Sequence, residues 1–461
     1  ASTSYSLRRF LRPPVPFVMR AHRTAPLALS RLVSALLVPA LLVPVLLAGT
    51  VRSASAQSPR PIRSADIYRL RDVGAGRLSP DGAWIAYTVT TVDSAKDKSD
   101  SDVWMVNYEG TRTIRMTSSP EGESNPRWSP DNRYLSFVSG RYESKGGQLW
   151  LLDRAGGDAV RLTDLKGGIG EYEWSPDGTR LAVVSHDLDP EELKPDSLKT
   201  KNPKPIVLDR YAFKRDNTGY LDRLRDHVYI VDVATKKAVQ ITTGDFDDQS
   251  VRWSPDGKRL AFVSERSGTD PDRTNNADLY VVDAAPGATP VKLTTWSGPD
   301  ANPVWSPDGQ SIAYLQGSEP QLSAYSQNTI AVVPSAGGAA RLVAASLDRD
   351  VSGLTWTTDG TALRFLLGDD RAAHLATVPV SGGVVTRLLD GRRAVSSYDA
   401  SSTGRVVLNT ATATRSSEVF AFENGALRAL THVNDSIFTA LALGTTDDVQ
   451  FKNKDGLTVG A

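Results

Sequence analysis

The chain has 461 residues, 40% hydrophobic and 23% charged, enough for two or three average domains or one large repeat architecture, which excludes a disordered chain. Formal net charge is zero, but residues 1–56 hold seven Arg and no Lys, Asp or Glu, leaving 46 basic against 53 acidic side chains in the rest, a net of −7. That balance argues against nucleic acid or an anionic membrane surface as main partner, and the lack of Cys excludes disulfides, thiolate metal sites and a Cys nucleophile.

At the N-terminus, Met19 is followed by the basic residues Arg20, His22, Arg23 and Arg31, then by an apolar run from Leu32 to Gly49. Ala54-Ser55-Ala56 places small residues at the spacing a signal peptidase reads. The expectation is a signal segment over 1–56, cleaved after Ala56, and a periplasmic or secreted protein. The alternative is a retained anchor, disfavoured by the 18-residue length of the run and by Pro39 and Pro44 within it. Any membrane contact is expected through this segment alone.

Past residue 60 one pattern recurs, as Leu78-Ser-Pro-Asp-Gly82, Trp128-Ser-Pro-Asp-Asn132, Trp174-Ser-Pro-Asp-Gly178, Trp253-Ser-Pro-Asp-Gly257 and Trp305-Ser-Pro-Asp-Gly309. A looser copy is Trp356-Thr-Thr-Asp-Gly360, and a degenerate seventh is Asp399-Ala-Ser-Ser-Thr-Gly404. The six aspartates are 50, 46, 79, 52 and 51 residues apart, a period that means a propeller or a solenoid. Ser-Pro-Asp-Gly is a type I turn in sequence, with Pro fixing φ at the second position and Gly relieving crowding at the fourth. Each turn precedes a short run apolar on both faces, such as Ile85–Val89, Leu135–Val138 or Leu260–Val263, as a strand buried between sheets requires. A second strand pair follows in each repeat, its first members including Val103–Val106, Leu149–Leu152, Val228–Val231 and Val419–Phe422. Four strands per repeat and seven repeats predict an all-β, seven-bladed β-propeller over 57–445, with the repeated Trp packed between blades.

One spacing is long. The extra segment, His186 to Arg225, is polar and broken by Pro190, Pro195, Pro203 and Pro205. Long insertions in a repeat array map to loops on one face, often the working face; a solvated excursion is the alternative.

Tandem Trp-Ser-Pro-Asp-Gly repeats resemble those of TolB-type propellers and of the prolyl oligopeptidase family of serine peptidases. Two features favour the peptidase. Pro205-Ile-Val-Leu-Asp-Arg-Tyr-Ala-Phe-Lys-Arg-Asp216 with Gly219-Tyr-Leu221 is similar to the third-blade segment of bacterial acylaminoacyl-peptidase and dipeptidyl-peptidase relatives. Val449-Gln-Phe-Lys-Asn-Lys-Asp-Gly-Leu-Thr-Val-Gly-Ala461 resembles the strand-turn-strand that opens the family's α/β-hydrolase domain, so 446–461 is expected to be the start of that domain.

The family's chemistry comes from a Ser in a Gly-x-Ser-x-Gly elbow with Asp and His, all in that C-terminal domain. No Gly-x-Ser-x-Gly stands in this sequence, and His186, His227, His374 and His432 are scattered singly. The resemblance therefore implies an exported substrate-gating propeller, with short peptides and the hydrolase domain as partners, inactive as this chain alone. Some dipeptidyl peptidases bind the substrate's α-amine through a Glu pair. Glu191-Glu192 is the sole such pair here, though its context departs from the family motif and a solvated acidic turn is the alternative. Arg210, Lys214 and Arg215 are candidates for facing a peptide carboxylate.

Asp245-Phe-Asp-Asp248 and Asp369-Asp370 lack the spacing of a calcium loop, so no metal and no cofactor is expected. A homo-oligomer stays open. Two alternatives remain. One is a non-catalytic TolB-like periplasmic scaffold. The other, a self-contained propeller enzyme, is weakened because no carboxylate or His is seen to recur at one repeat position beyond the turn Asp.

Overall fold

Each Ser-Pro-Asp-Gly segment closes into a hydrogen-bonded turn that fixes where a strand pair begins. The fourth residue donates its N–H to the carbonyl of the first, as Gly82 does to Ser79 (2.7 Å), Asn132 to Ser129 (3.0 Å) and Gly257 to Ser254 (2.9 Å). That fourth residue takes a left-handed φ, 67° at Gly257 and 62° at Asn132, which Gly adopts freely and Asn tolerates. The Asp side chain locks the loop from inside: Asp256 Oδ1 accepts from Ser254 Oγ (2.6 Å) and Lys258 N (3.1 Å). The Ser254 hydroxyl holds the Asp256 carboxyl below the usual carboxylate range. The degenerate seventh copy closes the same way, with Gly404 N on Ser401 O (3.1 Å) and Thr403 Oγ1 standing 2.7 Å from Ser401 Oγ.

The structure is a computed structural model that describes residues 58–460 apart from 143–145, 199–201, 203–204, 217, 267–270, 275 and 326. The expected signal segment lies outside the described residues. The chain is all-β. In the second repeat Glu123–Trp128, Tyr134–Ser139, Gln148–Asp153 and Val160–Arg161 form one antiparallel sheet, paired in sequence order. The third, fourth and fifth repeats copy it, each completing its own four-stranded sheet. The first has five strands, because Asp72–Val73 and Arg77–Leu78 both pair with Trp84–Asp93. The sixth and seventh join in an eight-stranded sheet through one parallel bridge, Ala373 to Ala394. The expected apolar runs all fall on these strands.

Burial explains the packing. Strands apolar on both faces must be covered on both, and each sheet covers the next. Phe137 and Leu135 pack with Ala86 and Val103 of the preceding repeat, while Phe262 and Leu260 pack with Val184 and Val228. The repeated Trp staples neighbours through its indole N–H. Trp128 donates to Arg77 O (2.9 Å), Trp253 to Glu173 O (3.2 Å), Trp305 to Arg252 O (3.2 Å) and Trp356 to Val304 O (3.0 Å). Its expected inter-repeat role holds. A second device recurs inside the sheets, where a buried Thr hydroxyl accepts an N–H of the third strand. Thr117 serves Val103 (2.8 Å), Thr163 Leu149 (2.9 Å), Thr242 Val228 (2.9 Å) and Thr431 Val419 (2.9 Å).

The first and last repeats also meet. Val73, Ile85 and Val89 share a core with Val407, Val419 and Leu430. Among the described residues no sheet strand is exchanged there, and side chains make much of the seam. Asn409 Oδ1 accepts from Gly76 N (2.9 Å) and its Nδ2 donates to Gly74 O (3.0 Å). Both contacts need the glycine backbone close, and a Cβ at Gly76 would stand 3.1 Å from both Ile85 and Val419. Outside the sheets, Arg60 bridges Leu441 in parallel, and Gln450–Lys452 pairs with Thr458–Gly460 as a hairpin.

Candidate functional site

The strand Arg180–His186 leaves its turn at one end and runs into the long insertion at the other, and the chain returns through Asp226–Asp232. The insertion therefore emerges at the strand ends opposite the Ser-Pro-Asp-Gly turns. Its neck is pinned by Asp187 N on Arg225 O (2.7 Å) and by His186 Nδ1 with Asp226 Oδ1 (2.9 Å). Buried Arg225 reaches Asp245 (2.8 Å) and Asp247 (3.4 Å) in the next inter-repeat loop. Asp248, which follows and opens the strand Asp248–Trp253, pairs with Arg266 (2.7 Å) and His227 (3.3 Å). The Asp245–Asp248 cluster thus serves as counter-ions. Burial works against the His227 imidazolium, but the hydrogen bond and charge of Asp248, with Asp187, leave its pKa raised.

The candidate residues divide between two places. Glu191 and Glu192 lie in a turn, with Glu191 N on Asp189 Oδ1 (2.8 Å), Glu192 N on Asp189 O (2.8 Å) and Lys194 Nζ on Glu191 Oε2 (2.7 Å). Arg210 is mostly buried. It donates to both oxygens of Asp272 (3.0 and 2.5 Å) and to Asp222 O (2.5 Å), and that hydrogen bonding holds the Asp272 carboxyl below its usual range. Lys214 and Arg215 are exposed on a short hairpin with Gly219–Tyr220, Lys214 lying 5.9 Å from the Tyr220 ring centre. Arg210 and Arg215 share the wall of a cavity of about 390 Å³ with Phe246 and Asp247. Arg210, Arg223 and Tyr211 line an adjoining one of about 630 Å³. Glu191, Glu192 and Lys214 line neither.

A larger cavity, about 730 Å³, opens among loops of the sixth and seventh repeats, lined by Asp369, Arg371, His374, Arg387, Arg392 and Asp448. The loop Asp369–Ala372 joins a second to a third strand, as the insertion does, so this cavity opens at the same strand ends. Arg371 binds Asp448 (2.7 Å), which ties the C-terminal segment there. Asp369 holds Arg349 (2.5 Å) and Arg387. The sequence reading missed this cavity; the run Arg387 to Arg393, with three Arg around Asp390-Gly391, was its signal. Among the described residues each His faces an Asp, and none bonds a Ser hydroxyl.

The structure also shows recurrences that the sequence reading passed over. Glu123, Asp248 and Asp300 each stand five residues before a repeated Trp and are fully buried. Glu123 and Asp248 have Arg141 (2.8 Å) and Arg266 (2.7 Å) as partners. At the matching position the fifth repeat has Ser318, and both Asp300 carboxylate oxygens lack a hydrogen-bond partner.

No protein-family model matches the chain. It is 26% identical over 370 residues to dipeptidyl-peptidase 5 of Porphyromonas gingivalis, covering 75% of this chain and 52% of that protein. It is 25% identical over 223 residues to the uncharacterized peptidase YuxL of Bacillus subtilis, covering 48% of this chain and 34% of that one. The chain thus spans about half, or less, of the length of these curated relatives. Among solved structures, the acylaminoacyl peptidase of Pyrococcus horikoshii superposes with a TM-score of 0.68 at 19% identity, over 86% of this chain and 57% of that one. The β-propeller domain of the Trilobed protease from Pyrococcus furiosus superposes at 0.56 and 18% identity, over 79% of this chain and 99% of that domain. These likenesses are of fold, and the fold is that of peptidase-associated propellers. The resemblance to peptidase propellers drawn from the repeats holds.

Proposed function

We propose that this chain is the seven-bladed propeller of an exported serine peptidase, placed over a hydrolase domain so that only short peptides enter. Seven turns of one design and seven buried clusters between successive repeats, the seam included, support the blade count. The observation that carries the gating role is that two features share the same strand ends. The third-repeat insertion emerges there, and Arg371 ties the C-terminal segment there through Asp448. The insertion also exposes Ile206, Val207, Leu208, Tyr211 and Phe213, apolar surface suited to a covering domain or a peptide. In this reading the hairpin 450–460 opens the hydrolase domain, and the nucleophile comes from there. Exposed Lys214 and Arg215 face a peptide carboxylate and Glu191 and Glu192 its amine, while Arg210 holds the insertion in place.

The test is the product of the whole coding sequence, read past the Ala461 codon. It is expected to cleave short peptidyl nitroanilides and spare folded proteins, and deleting the propeller is expected to abolish that size limit. The chain of 461 residues alone is expected to stay unlabelled by a fluorophosphonate serine probe. Labelling of the isolated chain would falsify the assignment of the nucleophile to another domain. A stop codon directly after the Ala461 codon would leave a non-catalytic scaffold as the better reading.

A further inference from the structure

At the turn end of the strands, away from the insertion, lies a cavity of about 340 Å³ lined by Arg77, Arg127, Glu173, Asp399, Ser401 and Ser402. Its charged residues share one address. Each immediately precedes the repeated Trp position, where the seven repeats carry Arg77, Arg127, Glu173, Arg252, Val304, Thr355 and Asp399. Residues at one position of successive repeats converge, so a repeat array concentrates whatever charge that position holds.

The two carboxylates are committed to backbone. Glu173 Oε2 accepts from Trp253 N (2.8 Å) and Asp399 Oδ2 from Leu78 N (2.8 Å). The arginines are not matched to them. Among the described residues no carboxylate comes within ion-pair distance of Arg77 or Arg127, and neither guanidinium makes a hydrogen bond. The buried Arg127 Nε has no partner at all. Arg127 lies 5.5 Å from the Tyr172 ring centre, a contact that positions the cation and leaves its in-plane donors unused. Burial lowers the Arg77 pKa; Asp399 works against that, while the nearby charges of Arg127 and Arg252 add to it. Burial likewise raises the pKa values of Glu173 and Asp399, weakening them as counter-charges.

Guanidinium forks with unused N–H groups, held together against their own repulsion, fit a planar or tetrahedral oxyanion by paired charge-assisted bonds. We propose that Arg77 and Arg127 hold a small oxyanion in this cavity, either the terminal carboxylate of a second peptide, distinct from the one facing Lys214 and Arg215, or an inorganic anion of the same chemistry. Ser401 and Ser402 line the same wall, their hydroxyls held by Thr403 Oγ1 (2.7 Å) and Pro80 O (3.3 Å). The site lies at the strand ends opposite the insertion, so it is separate from the surface assigned to the hydrolase domain.

The probe is sodium sulfate, titrated into the purified chain at ionic strength held constant with sodium chloride and followed by calorimetry. Saturable binding is expected, weakened at least about tenfold in Arg127→Gln and unchanged in Arg161→Gln, on an outer strand. Equal affinity in Arg127→Gln and the parent chain, or no saturable binding, overturns the site. Should Arg127→Gln fail to fold, Arg77→Gln decides by the same two outcomes. A short peptide acid and its C-terminal amide then separate the sources. Binding of the acid alone assigns the peptide terminus, and sulfate binding with neither peptide assigns a free anion.

Discussion

At Asp300 a carboxyl is walled in beside Asp278 and against Tyr314, with the Thr294 hydroxyl nearby but in no well-formed hydrogen bond to either oxygen. Burial is the largest cause, the Asp278 charge adds to it, and together they push its pKa up to about 7, although Thr294 and Lys292 pull the other way. An unfolded Asp titrates near about 3.9. Between those values the folded chain binds a proton that the unfolded chain has released, so stability falls as pH rises from about 4 to about 7. Each pKa unit is worth about 1.4 kcal/mol, so the ionised group costs the fold on the order of a few kcal/mol above pH 7. Asp300→Asn removes that slope. Urea melts are expected to show the variant more stable than the parent at pH 8 and about equal at pH 4; equal stability at both would discount the burial argument. The sequence held the signal, since Glu123, Asp248 and Asp300 share one offset from Trp. What it concealed was that two have an Arg two residues past the facing strand and the third has Ser318.

For single elements the sequence was legible wherever a constraint is local. Turn, strand and Trp recur at fixed offsets, and every expected run became a strand. The insertion was visible by its length alone. Its anchoring was not, because Arg210 meets Asp272 across 62 positions, in the short helix Pro271–Thr274 of the next repeat. The pair is mostly buried, with side chains 13% and 9% exposed, so removing one partner strands the other's charge. Arg210→Gln is expected to free the insertion while leaving the sheets intact. Limited proteolysis should then cut between residues 187 and 224 several-fold faster, with an unchanged melting temperature. A fall in melting temperature together with the faster cutting would mean that the insertion supports the sheets as well.

Across the described residues, the first and last repeats meet at a seam with no loop joining their sheets directly. Several polar contacts cross it, among them Leu78 N on Asp399 Oδ2 (2.8 Å) and Arg405 on Gly82 O (2.8 Å), and Asn409 reaches Gly76 N and Gly74 O from a position that is 2% exposed. Asn409→Ala leaves those backbone groups without partners, at about 1–3 kcal/mol each. It is expected to lower stability by roughly 2–4 kcal/mol. Hydrogen exchange should rise first in 72–93 and 394–429, with the middle repeats following; uniform exchange across all repeats would refute a local seam. The part Asn409 plays in the seam could not be singled out from sequence, because it sits in an ordinary strand 333 positions from Gly76.

The first five repeats each complete a sheet from contiguous residues, the sixth and seventh are contiguous and share one, and near the seam Arg60 N meets Ala440 O at 3.1 Å while Ala442 N meets Arg60 O at 2.7 Å. The two ends of the array are therefore already side by side, and no strand depends on where the chain was opened. A gene recut so that synthesis starts in the loop after Asp283, with a short linker joining the old ends, should yield the same set of sheets in a rotated order. The position of the termini is then a matter of genetic bookkeeping, with no hold on the architecture.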